Sequence, residues 1–258
     1  MRPILTTLLL CCFCGSLFSA TFTVNTLDNT NDNVCDGVHC SLREAINAAN
    51  AAAGADDIVF SVAGTIDLST GMGNLPVITD QVSIVALNIT IANAPGNGID
   101  FTGAANNSAL SGLTVVGAQG AAGIFVNAVT GVTLTGCSAI SNGNPATSQG
   151  GGISLLFSAG SSIVNCTVDG NAENGIFMLD SPGISVSNCT VTNNSFHGII
   201  GVGCNAIQIT NNGSNNNGTG APVPATGANS SSGILISGCN SAIIEDNVCN
   251  GSPLEAGI

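Results

Sequence analysis

Residues 162–183, SIVNCTVDGNAENGIFMLDSPG, and residues 184–205, ISVSNCTVTNNSFHGIIGVGCN, are two versions of one pattern. Each begins with a short alternating segment and a Cys, continues through a polar turn that contains Asn, and ends with Gly-Ile and a second apolar segment. Alternation of apolar and polar residues predicts β-strands with one buried face. Self-similarity at a fixed period predicts a stack of equivalent coils.

The glycine of the Gly-Ile pair marks the period along the chain. It recurs at Gly98, Gly123, Gly152, Gly175, Gly198, Gly233 and Gly257. The basal interval is 23 residues, and longer loops are predicted at residues 142–150 and 217–232. This period suits one coil of two or three short strands. The sequence therefore predicts an all-β fold, a right-handed single-stranded parallel β-helix (solenoid) with an N-terminal capping α-helix.

Equivalent positions of successive coils form ladders, because parallel coils stack ~4.8 Å apart. The cysteine ladder consists of Cys137, Cys166 and Cys189, and the asparagine ladder of Asn142, Asn171, Asn194 and Asn217. Stacked Asn side chains can hydrogen-bond between coils and satisfy turn backbone groups. We interpret the cysteines as filling of a narrow core, because no histidine joins them in a metal site. Disulfides between adjacent coils stay open as an alternative.

The composition agrees with a solenoid and limits the partners. The chain has 34 Gly and no Trp or Tyr, and an elongated stack needs only small aliphatic side chains in its core. Its formal net charge is −13, and Arg2 and Arg43 are its only Lys or Arg residues. Because this charge repels phosphate backbones and anionic headgroups, we expect no nucleic-acid partner.

Residues 1–20 have the pattern of a secretory signal peptide. Arg2 is followed by an apolar run from Ile4 to Phe13 that is too short for a membrane span, and small residues precede Ala20. We therefore expect a secreted or cell-surface protein whose mature chain has no transmembrane segment. In an oxidising compartment, Cys35 and Cys40 are close enough in sequence for a local disulfide.

Residues 41–53, SLREAINAANAAA, predict the capping helix. Ser41 and Glu44 have capping-box spacing, and Gly54 is expected to end the helix. One helical face is apolar and consists of Leu42, Ala45, Ile46 and Ala49. Arg43 is expected to pair with a carboxylate or to bind backbone carbonyls.

The string Cys40-Ser-Leu-Arg-Glu-Ala-Ile46, together with Ala48-Ala49-Asn50 and the segment from Phe22, resembles the CSLREA-type N-terminal domain. That domain heads secreted bacterial right-handed parallel β-helix proteins of the pectin-lyase-like class. The resemblance implies export and frequent surface association, and implies no particular reaction. We therefore divide the chain into a signal peptide at 1–20, the cap and first coils at 21–84, and β-helix repeats at 85–258. The end at Gly257-Ile258, in mid-coil, leads us to expect a truncated chain.

The loop between residues 28 and 36 suggests a cation site. Asp28, Asp32 and Asp36 offer oxygen ligands that suit Ca²⁺, although their spacing is not that of an EF-hand. Solvated turn residues explain the same pattern, and we favour that interpretation. We therefore expect no cofactor, with Ca²⁺ as the alternative.

β-Helices also support polysaccharide lyases and glycosidases, and each of these activities requires particular side chains. A lyase acting on uronates commonly uses Ca²⁺ with Arg, Lys or Tyr, but a mature chain would hold one Arg in the cap and no Lys or Tyr. A glycosidase needs two carboxyl groups ~5 to 9.5 Å apart. The candidate catalytic residues are Asp169, Glu173, Asp180 and His197.

The sequence leaves two functions open. The preferred one is a structural, adhesive or weak glycan-binding role, with a polysaccharide or a surface or matrix protein as partner. The alternative is a carbohydrate-active β-helix enzyme, a polysaccharide lyase or a glycoside hydrolase-like protein, that uses the four candidate residues.

Overall fold

The computed structural model describes residues 19–144, 151–218 and 232–251. Most of the predicted signal peptide lies outside these residues. So do parts of the two predicted long loops and the expected truncation at Gly257-Ile258. Those predictions therefore stay predictions.

Four elements form the N-terminal part of the fold. They are β1 (Thr21–Val24), α1 (Leu42–Ala51), β2 (Asp56–Phe60) and β3 (Gly64–Asp67). The isolated bridge between Ile78 and Phe101 completes the first coil, since it occupies the place of a third strand.

Six coils of three strands follow within the described residues. Their strands are β4 (Val82–Val85), β5 (Ile89–Ala92), β6 (Ile99–Phe101), β7 (Ala109–Ser111), β8 (Thr114–Val116), β9 (Ala122–Asn127), β10 (Thr133–Thr135), β11 (Ser138–Ile140), β12 (Gly151–Leu156), β13 (Ser162–Val164), β14 (Thr167–Asp169), β15 (Asn174–Leu179), β16 (Ser185–Ser187), β17 (Thr190–Thr192), β18 (Ile199–Val202), β19 (Gln208–Thr210), β20 (Gly213–Asn215) and β21 (Ile234–Ser237). A further strand, β22 (Ile243–Glu245), begins the next coil.

The strands form three parallel sheets that run the length of the stack. Sheet A contains β1, β2, β4, β7, β10, β13, β16, β19 and β22, sheet B contains β3, β5, β8, β11, β14, β17 and β20, and sheet C contains β6, β9, β12, β15, β18 and β21. Residues one repeat apart are direct partners, as with Thr167 and Thr190. The predicted all-β parallel solenoid is confirmed.

The core is a narrow column of aliphatic side chains from all three sheets. The middle residue of most three-residue strands points inward and is buried, as are Val115, Ala139, Val168 and Val191 in sheet B. Their neighbours on each strand point outward, as the two-residue period of a strand requires. The buried column therefore needs no large aromatic side chain in these strands.

Several asparagines occupy turn positions at which the backbone is left-handed. Asn165, Asn188 and Asn211 stand 23 residues apart and have φ values of 55°, 55° and 56°. Among non-glycine residues, Asn and Asp adopt this conformation most readily. This explains part of the chain's high asparagine content.

The asparagine ladder lies in the turns between sheets B and C. The side-chain amide of each member donates to Oδ1 of the next, at 3.3 Å from Asn142 to Asn171, 2.8 Å from Asn171 to Asn194 and 2.9 Å from Asn194 to Asn217. The same Oδ1 atoms accept the backbone N–H of the preceding coil's asparagine, at 2.9 to 3.1 Å. All four residues are fully buried, so the ladder satisfies backbone groups that no water reaches.

The repeat glycine is explained by close approach between coils. A Cβ built on Gly175 would lie 2.6 Å from the carbonyl oxygen of Gly198 and 2.7 Å from Nδ2 of Asn194. A Cβ built on Gly152 would likewise lie 2.7 Å from the carbonyl oxygen of Gly175. These glycines form a ladder in which no side chain fits, because backbone oxygens fill the space.

The helix α1 covers the N-terminal end of the stack. Ser41 is its N-cap, and the reciprocal capping box with Glu44 is present, as the spacing predicted. The predicted apolar face, Leu42, Ala45, Ile46 and Ala49, is buried. The helix ends at Ala51, with an extended Ala52 as C-cap, so it stops before Gly54, where we expected its end.

Arg43 is buried in the cap and binds neutral groups. Its guanidinium donates to Oδ1 of Asn29 and to the carbonyl oxygens of Gly73 and Asn74. Of the two expected roles, the described contacts therefore show carbonyl binding. Within the described part of the chain, no helix has the length and apolar character needed to cross a membrane.

Asn194→Asp tests the ladder. The substitution replaces a buried amide donor with an oxygen that faces two acceptors, the carbonyl of Val168 and Oδ1 of Asn217. We expect the free energy of unfolding to fall by about 3 kcal/mol, measured by chemical denaturation. Asn188→Asp is the matched control, because Asn188 is exposed and its Oδ1 already accepts from Asn211. Equal loss in the two variants would show that the ladder has no special role.

Gly175→Ala tests the close approach of coils. The added methyl group must displace the backbone carbonyl of Gly198, so we expect a loss of about 3 kcal/mol in unfolding free energy. Gly37→Ala is the control, since nothing lies within 4 Å of a Cβ at that position. Wild-type stability in Gly175→Ala would contradict the close contact between Gly175 and the Gly198 carbonyl.

Candidate functional site

The outer face of sheet B carries an uninterrupted row of hydroxyl groups. Register places one Ser or Thr side chain from each of six successive strands at the same outward position. We call this the hydroxyl row, and it consists of Thr65, Thr90, Thr114, Ser138, Thr167 and Thr190. The comparable rows of sheet A are interrupted by apolar residues such as Ala109 and Val164. Sheet B therefore offers a more regular polar surface than sheet A.

A second row runs beside the hydroxyl row on the same face. Its middle part is apolar and consists of Ala92, Val116 and Ile140, two residues along each strand from Thr90, Thr114 and Ser138. Hydroxyl groups beside aliphatic groups suit a ligand that has both alcohol groups and C–H surfaces. The chemistry available here is hydrogen bonding and apolar contact.

Asp169 lies further along this second row. Its Oδ1 accepts from Oγ1 of Thr192 at 2.6 Å and from Nδ2 of Asn193 at 2.8 Å, both on the next coil. The carboxylate is therefore held in a lateral network on the sheet surface.

The other candidate carboxyl groups are not on this face. Glu173 follows the buried turn after β14 and is 1% exposed, so a polysaccharide on the surface would not reach it. Asp180 follows β15 at its far end, roughly 20 Å along the strand from Glu173. That separation exceeds the range for a glycosidase pair.

His197 is the neighbour of Asn174 on the next coil. Its backbone N–H donates to Oδ1 of Asn174 at 3.2 Å, and its Nδ1 accepts the backbone N–H of Ser232 at 3.0 Å. Burial lowers the pKa of His197. A neutral ring whose Nδ1 already accepts a backbone proton has a structural role in this turn.

The predicted cysteine ladder is present in the core. Cys137, Cys166 and Cys189 are buried and have free thiols, so the alternative of disulfides between these coils does not describe this structure. Each thiol donates to a nearby carbonyl oxygen, that of Thr135, Val164 or Ser187 respectively. The hydrogen bond with Cys166 and burial raise the pKa of Cys137, so this thiol stays protonated.

Cys35 and Cys40 form a disulfide in the N-terminal loop. Beside it, a shallow cleft of about 430 Å³ is lined by Thr21, Thr23, Asn25, Cys35, Asp36, Gly37 and Ser61. Since its described lining holds one carboxylate and otherwise neutral groups, we assign no ligand to it.

The suggested calcium set, Asp28, Asp32 and Asp36, does not act as one group. The Asp36 carboxylate accepts the backbone N–H groups of Val38 and His39, at 2.7 and 3.1 Å, and so closes its own turn. Asp28 and Asp32 both lie beside the imidazole of His39, at 3.1 and 3.9 Å. The three carboxylates therefore do not converge on one point in this structure, and the favoured interpretation as turn residues fits Asp36, while the Ca²⁺ alternative stays a prediction.

The structure instead brings Asp32 together with His39 and Glu44, which sequence reasoning missed. Nδ1 of His39 lies 3.0 Å from Oε2 of Glu44. The hydrogen bond to Asp28 and the charges of Glu44 and Asp32 raise the pKa of His39. The available signal was that Glu44 stands at the third helical position, where capping directs its side chain back toward the preceding loop.

Comparison with solved structures shows the same fold. Pectate lyase Pel9A is similar, with a TM-score of 0.50 and 14% identity over 93% of this chain and 82% of that one. A rhamnogalacturonan lyase gives 0.55 and 13%, over 93% of this chain and 64% of that one. Tailspike protein 2 from Escherichia coli O157:H7 bacteriophage CAB120 gives 0.40 and 13%, over 80% and 36%. At such identities the likeness to the two lyases establishes the fold alone.

Sequence comparison adds the family. A search of curated proteins gives no match. Residues 77–248, about two thirds of the chain, match the family described as "Right handed beta helix region". This match confirms the predicted hand of the coil, and the chain therefore belongs to the right-handed β-helix family.

Proposed function

We propose that this protein is an exported β-helix protein that binds a neutral polysaccharide on the outer face of sheet B and does not cleave it. The observation that carries this proposal is the hydroxyl row. Its six side chains recur with each coil, ~4.8 Å apart, and span roughly 24 Å. A ligand that itself repeats, such as an extended glycan chain, can meet every position of such a row in the same way.

The charge of the chain supports a neutral ligand. With 15 acidic residues and two basic ones, the protein repels polyanions such as uronate polymers. On the binding face, Asp67 and Asp169 stand toward the two ends of the second row, and the middle is uncharged. Neutral sugars therefore fit this face better than the acidic sugars implied by the names of the two similar lyases.

The arrangement of carboxyl groups supports binding without cleavage. Of the four candidate residues, only Asp169 lies on the proposed binding face, where its Oδ1 accepts from two side chains of the next coil. A glycosidase needs a second carboxyl group across the bond to be cleaved, and Glu173 and Asp180 do not provide it on this face.

Export is supported by three features of the N-terminal region. Residues 1–20 have the composition of a signal peptide, the following loop contains a disulfide, and residues 40–46 resemble the CSLREA-type domain of secreted proteins. Surface display would place the sheet faces in contact with extracellular glycans.

Thr114→Arg tests the binding face. The change places a long charged side chain at the centre of the hydroxyl row, so we expect the Kd for a neutral polysaccharide to rise at least about tenfold. The probes are soluble xylan, mannan and β-glucan in affinity electrophoresis, together with pull-down on cellulose and chitin, with polygalacturonate as the anionic comparison.

Thr135→Arg is the matched control for this experiment. Thr135 is a half-buried, outward-facing residue at the centre of sheet A, so it reports a general effect of added charge on another face. Binding that is unaffected by Thr114→Arg but lost in Thr135→Arg would move the site to sheet A. Failure of every neutral probe to bind the wild-type protein would sink the proposal.

A second experiment addresses catalysis. Incubation of the wild-type protein with the same polysaccharides should release no reducing or unsaturated sugars above a no-protein blank. Asp169→Asn should behave as the wild type does. Measurable cleavage that disappears in Asp169→Asn, while Asp180→Asn retains it, would favour the carbohydrate-active enzyme over the binding protein.

A further inference from the structure

His39 in the cap is surrounded by carboxylates, an arrangement that favours a bound cation. Nδ1 of His39 is buried and faces two carboxylate oxygens, Oε2 of Glu44 at 3.0 Å and Oδ2 of Asp32 at 3.9 Å. Although the Glu44 oxygen is close, the geometry is not that of a hydrogen bond, and Nδ1 has no hydrogen-bond partner among the described residues.

The other ring nitrogen fixes the tautomer. Nε2 lies 3.1 Å from Oδ2 of Asp28 and 3.3 Å from Oγ1 of Thr30. Thr30 already donates its hydroxyl proton to Oδ1 of Asp28, and a carboxylate only accepts. Nε2 is therefore the donor to Asp28, and in the neutral ring the lone pair lies at Nδ1, opposite two acceptor oxygens.

We propose that His39, Glu44 and Asp32 form a binding site for a divalent transition metal, with Zn²⁺ as the best-matched ion. The three ligand atoms lie within 4.8 Å of one another. In a tetrahedral zinc site with bonds of ~2.0 to 2.1 Å, neighbouring ligand atoms are about 3.3 Å apart. The separations of 3.0 and 3.9 Å from Nδ1 lie on either side of that value.

Two of the three ligands, Glu44 and His39, are already held in place by hydrogen bonds within the protein. Glu44 is 1% exposed in its side chain and is held by two backbone N–H donors, from Asp32 at 2.6 Å to Oε1 and from Ser41 at 2.7 Å to Oε2. Each oxygen keeps a lone pair beyond those bonds. His39 is fixed from behind by Asp28, the arrangement in which a second carboxylate orients a metal-binding imidazole.

Asp32 is the adjustable ligand. Its side chain is 61% exposed, and Oδ2 must approach Nδ1 by about half an ångström to complete the set. Since the Asp32 side of the site is open to solvent, water can supply a fourth ligand. One imidazole and two carboxylates favour zinc over calcium, which prefers six to eight oxygen ligands.

Such a metal would fasten the N-terminal loop to the first turn of α1. His39 and Asp32 belong to the loop that the Cys35–Cys40 disulfide constrains, and Glu44 belongs to the helix. The site is independent of the proposed glycan-binding face, which lies on sheet B. We infer a structural role for the ion at the N-terminal end of the stack.

The test uses the full chain with its disulfide intact, stripped with a chelator and alkylated so that accessible free thiols do not bind metal. Isothermal titration with ZnCl₂ at pH 7.5 should show one site per chain. His39→Gln should abolish binding, and Asp32→Asn should weaken it at least tenfold. Asp36→Asn is the matched control, because it removes the same charge from the same loop at a carboxylate that faces its own turn.

A spectroscopic readout separates ligation from general stabilisation. The chain has two histidines, His39 and His197. Zn²⁺ should shift the ¹⁵N resonance of Nδ1 of His39 and leave that of His197 unchanged, and Co²⁺ should give the absorption bands of a four-coordinate ion. Absence of zinc binding by the folded wild-type chain would overturn the proposal. Binding that survives in His39→Gln, or an Nδ1 resonance that zinc does not move, would also overturn it.

Discussion

Four successive coils of the stack are held in register by a buried chain of amide-to-amide hydrogen bonds. From Asn142 to Asn217, each side chain binds the side chain and the backbone of an equivalent residue one coil away. The turn between sheets B and C can therefore be buried without leaving its polar groups unsatisfied. Because one asparagine must meet the next, this chain of bonds also fixes the register of the strands on either side. A slip by one residue would place a non-ladder side chain in the buried turn and turn outward-facing residues inward.

The two proposed sites have opposite relations to this register: the face of sheet B depends on its repetition, and the cluster in the cap lies where the repetition ends. On sheet B, identical register from coil to coil converts single Ser and Thr residues into a continuous surface feature, although no one of them is unusual alone. At the N-terminal end the repeat stops, and the cap must satisfy groups that no neighbouring coil covers. There two buried charged side chains satisfy the backbone: Arg43 donates to carbonyl oxygens, and Glu44 accepts from backbone N–H groups. The proposed glycan-binding face thus depends on the regular repeat, and the proposed metal site lies where the repeat stops.

Much of this fold could be predicted from the sequence, because its main interactions are between residues at a constant separation. Constant spacings in the sequence reveal the ladders that contain Asn194 and Cys166, the capping box of Ser41 and the repeat glycine at 175. The reason why residue 175 must be glycine is visible only in the structure, where the Gly198 carbonyl lies close to it. The candidate sites were harder to predict. Asp28, Asp32 and Asp36 look equivalent in sequence, but the direction of each side chain depends on how the disulfide loop closes. Glu173 and Asp180 seemed close to Asp169 along the chain, whereas one is buried and the other lies beyond a six-residue strand.

The two longest connections between strands of the repeat coils both lie between sheets B and C. From β14 to β15 the chain passes from Asp169 to Asn174, but from β11 to β12 it passes from Ile140 to Gly151, and from β20 to β21 from Asn215 to Ile234. The three sheets keep their pairing across all these connections, and the asparagine precedes the added residues each time. The strand pairing is thus kept where extra sequence follows the ladder residue. This makes the turn a natural insertion point for foreign epitopes, and a chain carrying several would present them at spacings set by the number of intervening coils.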